Sequence, residues 1–131
     1  MSNFNKLLVA STLFFLACPL GSQRTVWAEK GSTISRLSFG LGREQGTPEA
    51  ISLPGLSVSP CGSPPGAEVW HFDATRNGVK VSHIIYGHVP DGYKETVPAK
   101  PLTRGCYDVG FGEGGSKFDV KADSSIVARE Y

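Results

Sequence analysis

The chain has 131 residues, with 13 Lys and Arg against 12 Asp and Glu. At a formal net charge of +1 and without a basic run, it lacks the electrostatic footprint of a nucleic-acid binder and the cationic amphipathic stretch of a membrane-surface helix. Sixteen glycines and nine prolines disfavour long helices and point to short strands joined by turns.

The N-terminus reads as an export signal. Met1–Lys6 carries one positive charge, and Leu7–Ala17 is an apolar run too short to cross a bilayer of about 30 Å. Cys18 follows it, and two processing routes fit. The segment Phe14-Phe15-Leu16-Ala17-Cys18 resembles the lipobox of bacterial lipoproteins, which implies acylation of the Cys18 thiol and a mature chain that begins there. Val26-Trp27-Ala28 instead places small or aliphatic residues one and three places before a cut after Ala28, as ordinary cleavage requires. The first route makes 1–18 the signal and 19–32 a flexible tether, which reaches at most about 45–50 Å. The second removes 1–28. Either leaves one domain over 33–131, with a modest core.

Three cysteines in an exported chain leave one to be explained. Acylation of Cys18 explains it, as does its removal with the leader. Cys61 and Cys106 then pair in an oxidising compartment or stand as two buried thiols. No C-x-x-C spacing occurs, which argues against a redox-active pair or a thiolate zinc site.

Along the domain, Ile34, Leu37 and Phe39 open a first strand whose end Gly40 and Gly42 loosen. Prolines 48, 54, 60, 64 and 65 interrupt the next stretch, leaving one or two short strands around Ile51, Leu53, Leu56 and Val58. Val69–Asp73 alternates, Asn77-Gly78 follows, and Val79–Tyr86 alternates again. That is the signature of a hairpin through a two-residue type I′ turn. In this register Trp70, Phe72, Val81, His83 and Ile85 share the core face, whereas a slip of one residue buries Ile84 and Tyr86 instead. Gly87–Pro101 is a long connection holding a short extended piece. Cys106–Phe111 follows, with Tyr107, Val109 and Phe111 on one side, and turns through Gly112–Ser116. Phe118, Val120 and Ala122 return, and a last strand covers Ile126–Ala128 beyond Asp123-Ser124-Ser125. About seven strands in about 100 residues make an all-β, immunoglobulin-like sandwich.

Leu102-Thr103-Arg104-Gly105-Cys106-Tyr107-Asp108-Val109 resembles the L…G…Y-x-V stretch of fibronectin type III and related immunoglobulin-like modules. The resemblance implies that Tyr107 begins a strand and anchors the corner before it. The order Cys61…Trp70…Cys106 is similar to that of antibody-type domains, although Arg104 stands where they carry a tyrosine. Together with Trp70-x-Phe72, Ile84-x-Tyr86-Gly87 and Val89-Pro90-x-Gly92-Tyr93, these stretches resemble small bacterial envelope proteins. That resemblance implies fold and location, and no reaction.

The chemistry-bearing residues are sparse. Neither G-x-S-x-G nor H-E-x-x-H occurs, and Ser59 and Ser63 have no local base. Nothing selects Asp91 with Glu95, or Glu113 with Asp119, as a glycosidase pair. His71-x-Asp73 lies on one strand face, His83 is expected on the other and His88 sits past Gly87, so the three histidines are not spaced to converge on a zinc ion. Gly110-x-Gly112-x-Gly114-Gly115 lies between two strands, without the following helix of a phosphate loop. Tyr86 and Tyr93 flank a loop containing His88 and make a candidate stacking platform for a sugar or peptide. The sequence therefore predicts a non-enzymatic cell-envelope protein, anchored in the membrane through lipid on Cys18 and acting as a structural or interaction module. It predicts no cofactor, no metal and no nucleic acid. The alternatives are a soluble periplasmic or secreted domain that binds a glycan or partner protein through the Tyr86–Tyr93 loop and, more distantly, an envelope hydrolase.

Overall fold

The structure, a computed structural model, describes residues 24–112 and 114–129. The signal segment, Cys18 and residues 19–23 lie outside them. Eleven short strands run through the described residues: β1 (Thr25–Ala28), β2 (Ser38–Gly42), β3 (Ile51–Ser52), β4 (Gly55–Pro60), β5 (Trp70–Ala74), β6 (Lys80–Val81), β7 (His83–Ile85), β8 (Tyr93–Val97), β9 (Gly105–Phe111), β10 (Gly114–Val120) and β11 (Ile126–Ala128). They form a three-stranded sheet β1-β2-β7, a six-stranded sheet β11-β10-β9-β4-β5-β8 and a small ribbon β3-β6. Every pairing is antiparallel.

Alternation explains the core. Val26 and Ala28, Leu56 and Val58, Trp70 and Phe72, Tyr107 and Val109, and Phe118 and Val120 each point inward from their strands and join one cluster. Phe39 of β2 meets Phe118 of β10 with ring centroids 5.7 Å apart, so the two large sheets share this core. The result is an all-β sandwich. The six-stranded sheet carries β8 and β11 at its two edges and faces β1-β2-β7 across the core. The Tyr107 corner is also present. Its hydroxyl donates to the Thr103 carbonyl at 3.1 Å and accepts from the Thr103 N–H at 3.0 Å.

Several expectations are corrected. The flexible tether over 19–32 does not extend through Thr25–Ala28, which is a buried strand. Val26 and Ala28 face the core, and the Ser116 hydroxyl donates to the Val26 carbonyl. Trp27 points to the other face and is still only 5% exposed. A strand covered on both faces shows no alternation, so its four residues look featureless beside Arg24 and Glu29.

The hairpin through Asn77-Gly78 does not form. β5 pairs with β4 and β8, β6 with β3, and β7 with β2. Gly78 does have a φ of +80°, but Asn77 stays at negative φ, so the turn is not type I′. With both its edges occupied, β5 has no free side for the chain after Gly78. The facing also follows the slipped alternative: Ile84 is buried, while His83 and Ile85 are exposed.

The strand count rises from about seven to eleven: β1 lies in the expected tether, the expected Val79–Tyr86 strand divides at Ser82 into β6 and β7, and the short pieces around Ile51 and within Gly87–Pro101 are the strands β3 and β8. Phe111 pairs directly with Gly114, so β10 begins inside the expected Gly112–Ser116 turn. Ala122 lies exposed beyond the end of β10.

Candidate functional site

Cys61 and Cys106 form a disulfide with Cα atoms 5.4 Å apart. The Cys61 N–H donates to the Cys106 carbonyl at 3.0 Å, so the bridge continues the β4–β9 ladder past Pro60. It staples two neighbouring strands of one sheet, whereas the bridge of antibody-type domains joins two sheets.

The tyrosines flanking His88 are largely committed. Tyr86 packs its ring against Trp70 at 5.1 Å and donates its hydroxyl to the Lys100 carbonyl at 2.6 Å. Tyr93 packs against Phe72 at 5.1 Å and donates to the Leu53 carbonyl at 2.8 Å. Burial, with Tyr107 adding to it, pushes the Tyr86 phenol up to about 12. Burial raises Tyr93 as well. Both rings lean on the core and both tips bond backbone, so what the Gly87–Gly92 loop presents to solvent is chiefly His88 and Asp91.

Two other surfaces gather polar side chains, and of these only the His71-x-Asp73 pair is legible in the sequence. The first is a trough of about 320 Å³ on the outer face of β4, β5 and β9, lined by Gly55, Ser57, His71, Asp73, Gly110 and Phe111. Ser57 stands opposite His71, and His71 Nε2 meets Asp73 Oδ1 at 3.0 Å. Asp73 reaches over Gly55, where an ideal Cβ would lie 2.8 Å from Oδ1. No hydrogen bond joins the Ser57 hydroxyl to the imidazole. Asp73 can orient His71 as a proton carrier, but the nucleophile–base contact of a serine hydrolase is not made.

The second surface is a groove of about 890 Å³ beside β1 and β11, lined by Trp27, Glu29, Lys30, Gln45, Pro48 and Ile126–Ala128. At its edge Glu29 Oε1 accepts from the Ser38 hydroxyl and meets His83 Nδ1, each at 2.8 Å. His83 follows Glu29 by 54 residues, so no local spacing could have signalled the pair. His71 and His83 thus sit in different sheets, each on its own carboxylate. Among the described residues no three His, Cys, Asp or Glu side chains are grouped to hold a metal ion.

No family model, curated protein or solved structure matches this chain. What can be said of its class comes from the fold itself: a small all-β sandwich with one intra-sheet disulfide.

Proposed function

We propose that this is a non-enzymatic cell-envelope protein, anchored through lipid on Cys18 and acting as a structural or interaction module of the immunoglobulin/fibronectin type III type. The observation that carries the reading is β1. Cleavage after Ala28 would remove Val26, Trp27 and Ala28, all buried, and would leave the Ser116 hydroxyl without the Val26 carbonyl. The cut would forfeit the apolar burial of these side chains, about 25 cal/mol for each Å² returned to water. Processing at Cys18 leaves the strand in place, which supports this route over a cut after Ala28. The disulfide supports an oxidising compartment.

The test is the intact mass of the exported protein together with the behaviour of Cys18→Ser. The reading expects a mature chain that begins at Cys18 and carries acyl groups, and a C18S protein released from the membrane fraction. A mature chain that begins at Glu29 without lipid overturns it.

A second reading, a domain that binds a glycan, is favoured by the groove at Trp27. Its volume falls within the usual range for small-ligand sites, and it combines an indole edge with carboxylate, ammonium and amide groups. Retention of the protein on immobilised oligosaccharides, lost in Lys30→Ala and Gln45→Ala, two exposed residues of the groove, would support it. No retention on a broad oligosaccharide panel would count against it.

A further inference from the structure

We propose that the sandwich is held with one particular end against the lipid headgroups: the end where β1 begins. The inference rests on the lipid-anchored reading above and adds to it an orientation and a membrane-facing surface. Only six residues, Pro19–Arg24, separate Cys18 from the first residue of β1. Such a link lets the Thr25 Cα move at most about 25 Å from the Cys18 Cα, even fully extended. β9 and β10 have seven residues each, about 23 Å of strand, and turns extend the domain beyond both ends of them. The link is therefore no longer than the domain is tall. Bringing the far end to the bilayer would require a fully stretched chain running down the side of the sandwich.

The start of β1 is itself fixed. Thr25 pairs with Gly42, and the Arg24 guanidinium donates to the Ser52 carbonyl at 3.1 Å. Antiparallel register then says which loops share that end. Gly114 begins β10 beside Arg24 and pairs with Phe111, so Gly112 is there. The Ala74 N–H donates to the Pro54 carbonyl and the Leu53 N–H to the Val79 carbonyl, which puts Asn77 there too. The opposite end holds the Cys61–Cys106 bridge, Arg104 beside the Tyr107 corner, and Ala122 beyond β10. The occupant of the near end is the headgroup layer of the bilayer that holds the anchor, and the covalent link selects it. Charge is not what selects it: Arg43, at the near end, is already paired with Glu49 at 2.7 Å.

The experiment uses the mature acylated protein, beginning at Cys18 and with the native disulfide, in phosphatidylcholine–phosphatidylglycerol vesicles doped with a nickel-chelating lipid. Spin labels are placed singly at Asn77→Cys, Gly112→Cys, Arg104→Cys and Ala122→Cys, all exposed positions. Labels at 77 and 112 are expected to relax several-fold faster through headgroup nickel than labels at 104 and 122. Equal relaxation at the two ends, or faster relaxation at 104 and 122, overturns the orientation. Intact mass is read on the same samples. A protein without acyl groups overturns the anchored reading and the orientation with it, whereas an acylated protein with uniform relaxation overturns the orientation alone.

Discussion

The indole of Trp27 occupies the space that a side chain on Gly40 would fill: an ideal Cβ on Gly40 would stand 2.6 Å from ring atoms Cε2 and Cζ2. The two residues face each other across the β1–β2 pair, on the side of the sheet away from the main core. Pro48 and Gly46 line the groove beside the ring. Gly40 is thus a socket, and through it β1 is seated on β2.

Filling that socket should unseat the strand. Gly40→Ala is expected to lower stability by about 1–3 kcal/mol, the usual cost of overpacking a close contact. Urea denaturation measures it. The same substitution in a Trp27→Leu background should cost clearly less, because the clash is with the ring. Equal costs in the two backgrounds would mean that Gly40 serves β2 by itself.

Trp70 is fully buried, and its indole N–H donates to Glu95 Oε2 at 2.8 Å, from β5 to β8. Glu95→Ala leaves that donor unpaired and should cost about 1–3 kcal/mol. Glu95→Gln keeps an oxygen acceptor and should cost less. Chemical denaturation of the two variants side by side checks the order, and equal losses would argue against the hydrogen bond as the cause.

The Cys61–Cys106 bridge closes a loop with a sequence separation of 45. Its reduction, or the double change Cys61→Ala and Cys106→Ala, should lower stability by about 2–4 kcal/mol. Thiol titration of unfolded, non-reduced protein should find neither cysteine free. Two titratable thiols assigned to these positions would contradict the bridge.

Tyr86 ties pH to stability in the alkaline range. Its folded pKa is raised from 10.0 to about 12, so the unfolded chain loses this proton first as pH rises. The contribution is fully present below about pH 10 and disappears as pH rises towards about 12. Tyr93 is shifted in the same direction. Denaturation midpoints should therefore fall between pH 9 and pH 12, and the fall should be shallower in Tyr86→Phe, which has nothing to ionise. Parallel profiles for the two proteins would assign the alkaline loss elsewhere.

Amino-acid order by itself determined the all-β class, because period-two alternation at Trp70-x-Phe72, Tyr107-x-Val109 and Phe118-x-Val120 needs only neighbours in the chain. It also marked the turns at Gly112 and Asp123–Ser125 and left Cys61 and Cys106 as the one pair able to bridge, while Tyr107 as the corner residue came from the resemblance to fibronectin type III modules. Tertiary structure alone decided which strands meet. Asn77-Gly78 is a strong local turn signal, but β4 and β8 take both edges of β5, and the gain from completing a six-stranded sheet outweighs one turn preference. Tertiary structure likewise turned Thr25–Ala28 from tether into core: its burial depends on Gly40, Ser116 and the groove loop, none of which lies within ten residues of it. His71-x-Asp73 is legible as a pair on one strand face, because period-two spacing alone puts both there. Ser57 beside His71, and Glu29 with Ser38 and His83, are not, because they are brought together by contacts between strands, which spacing along one strand does not encode.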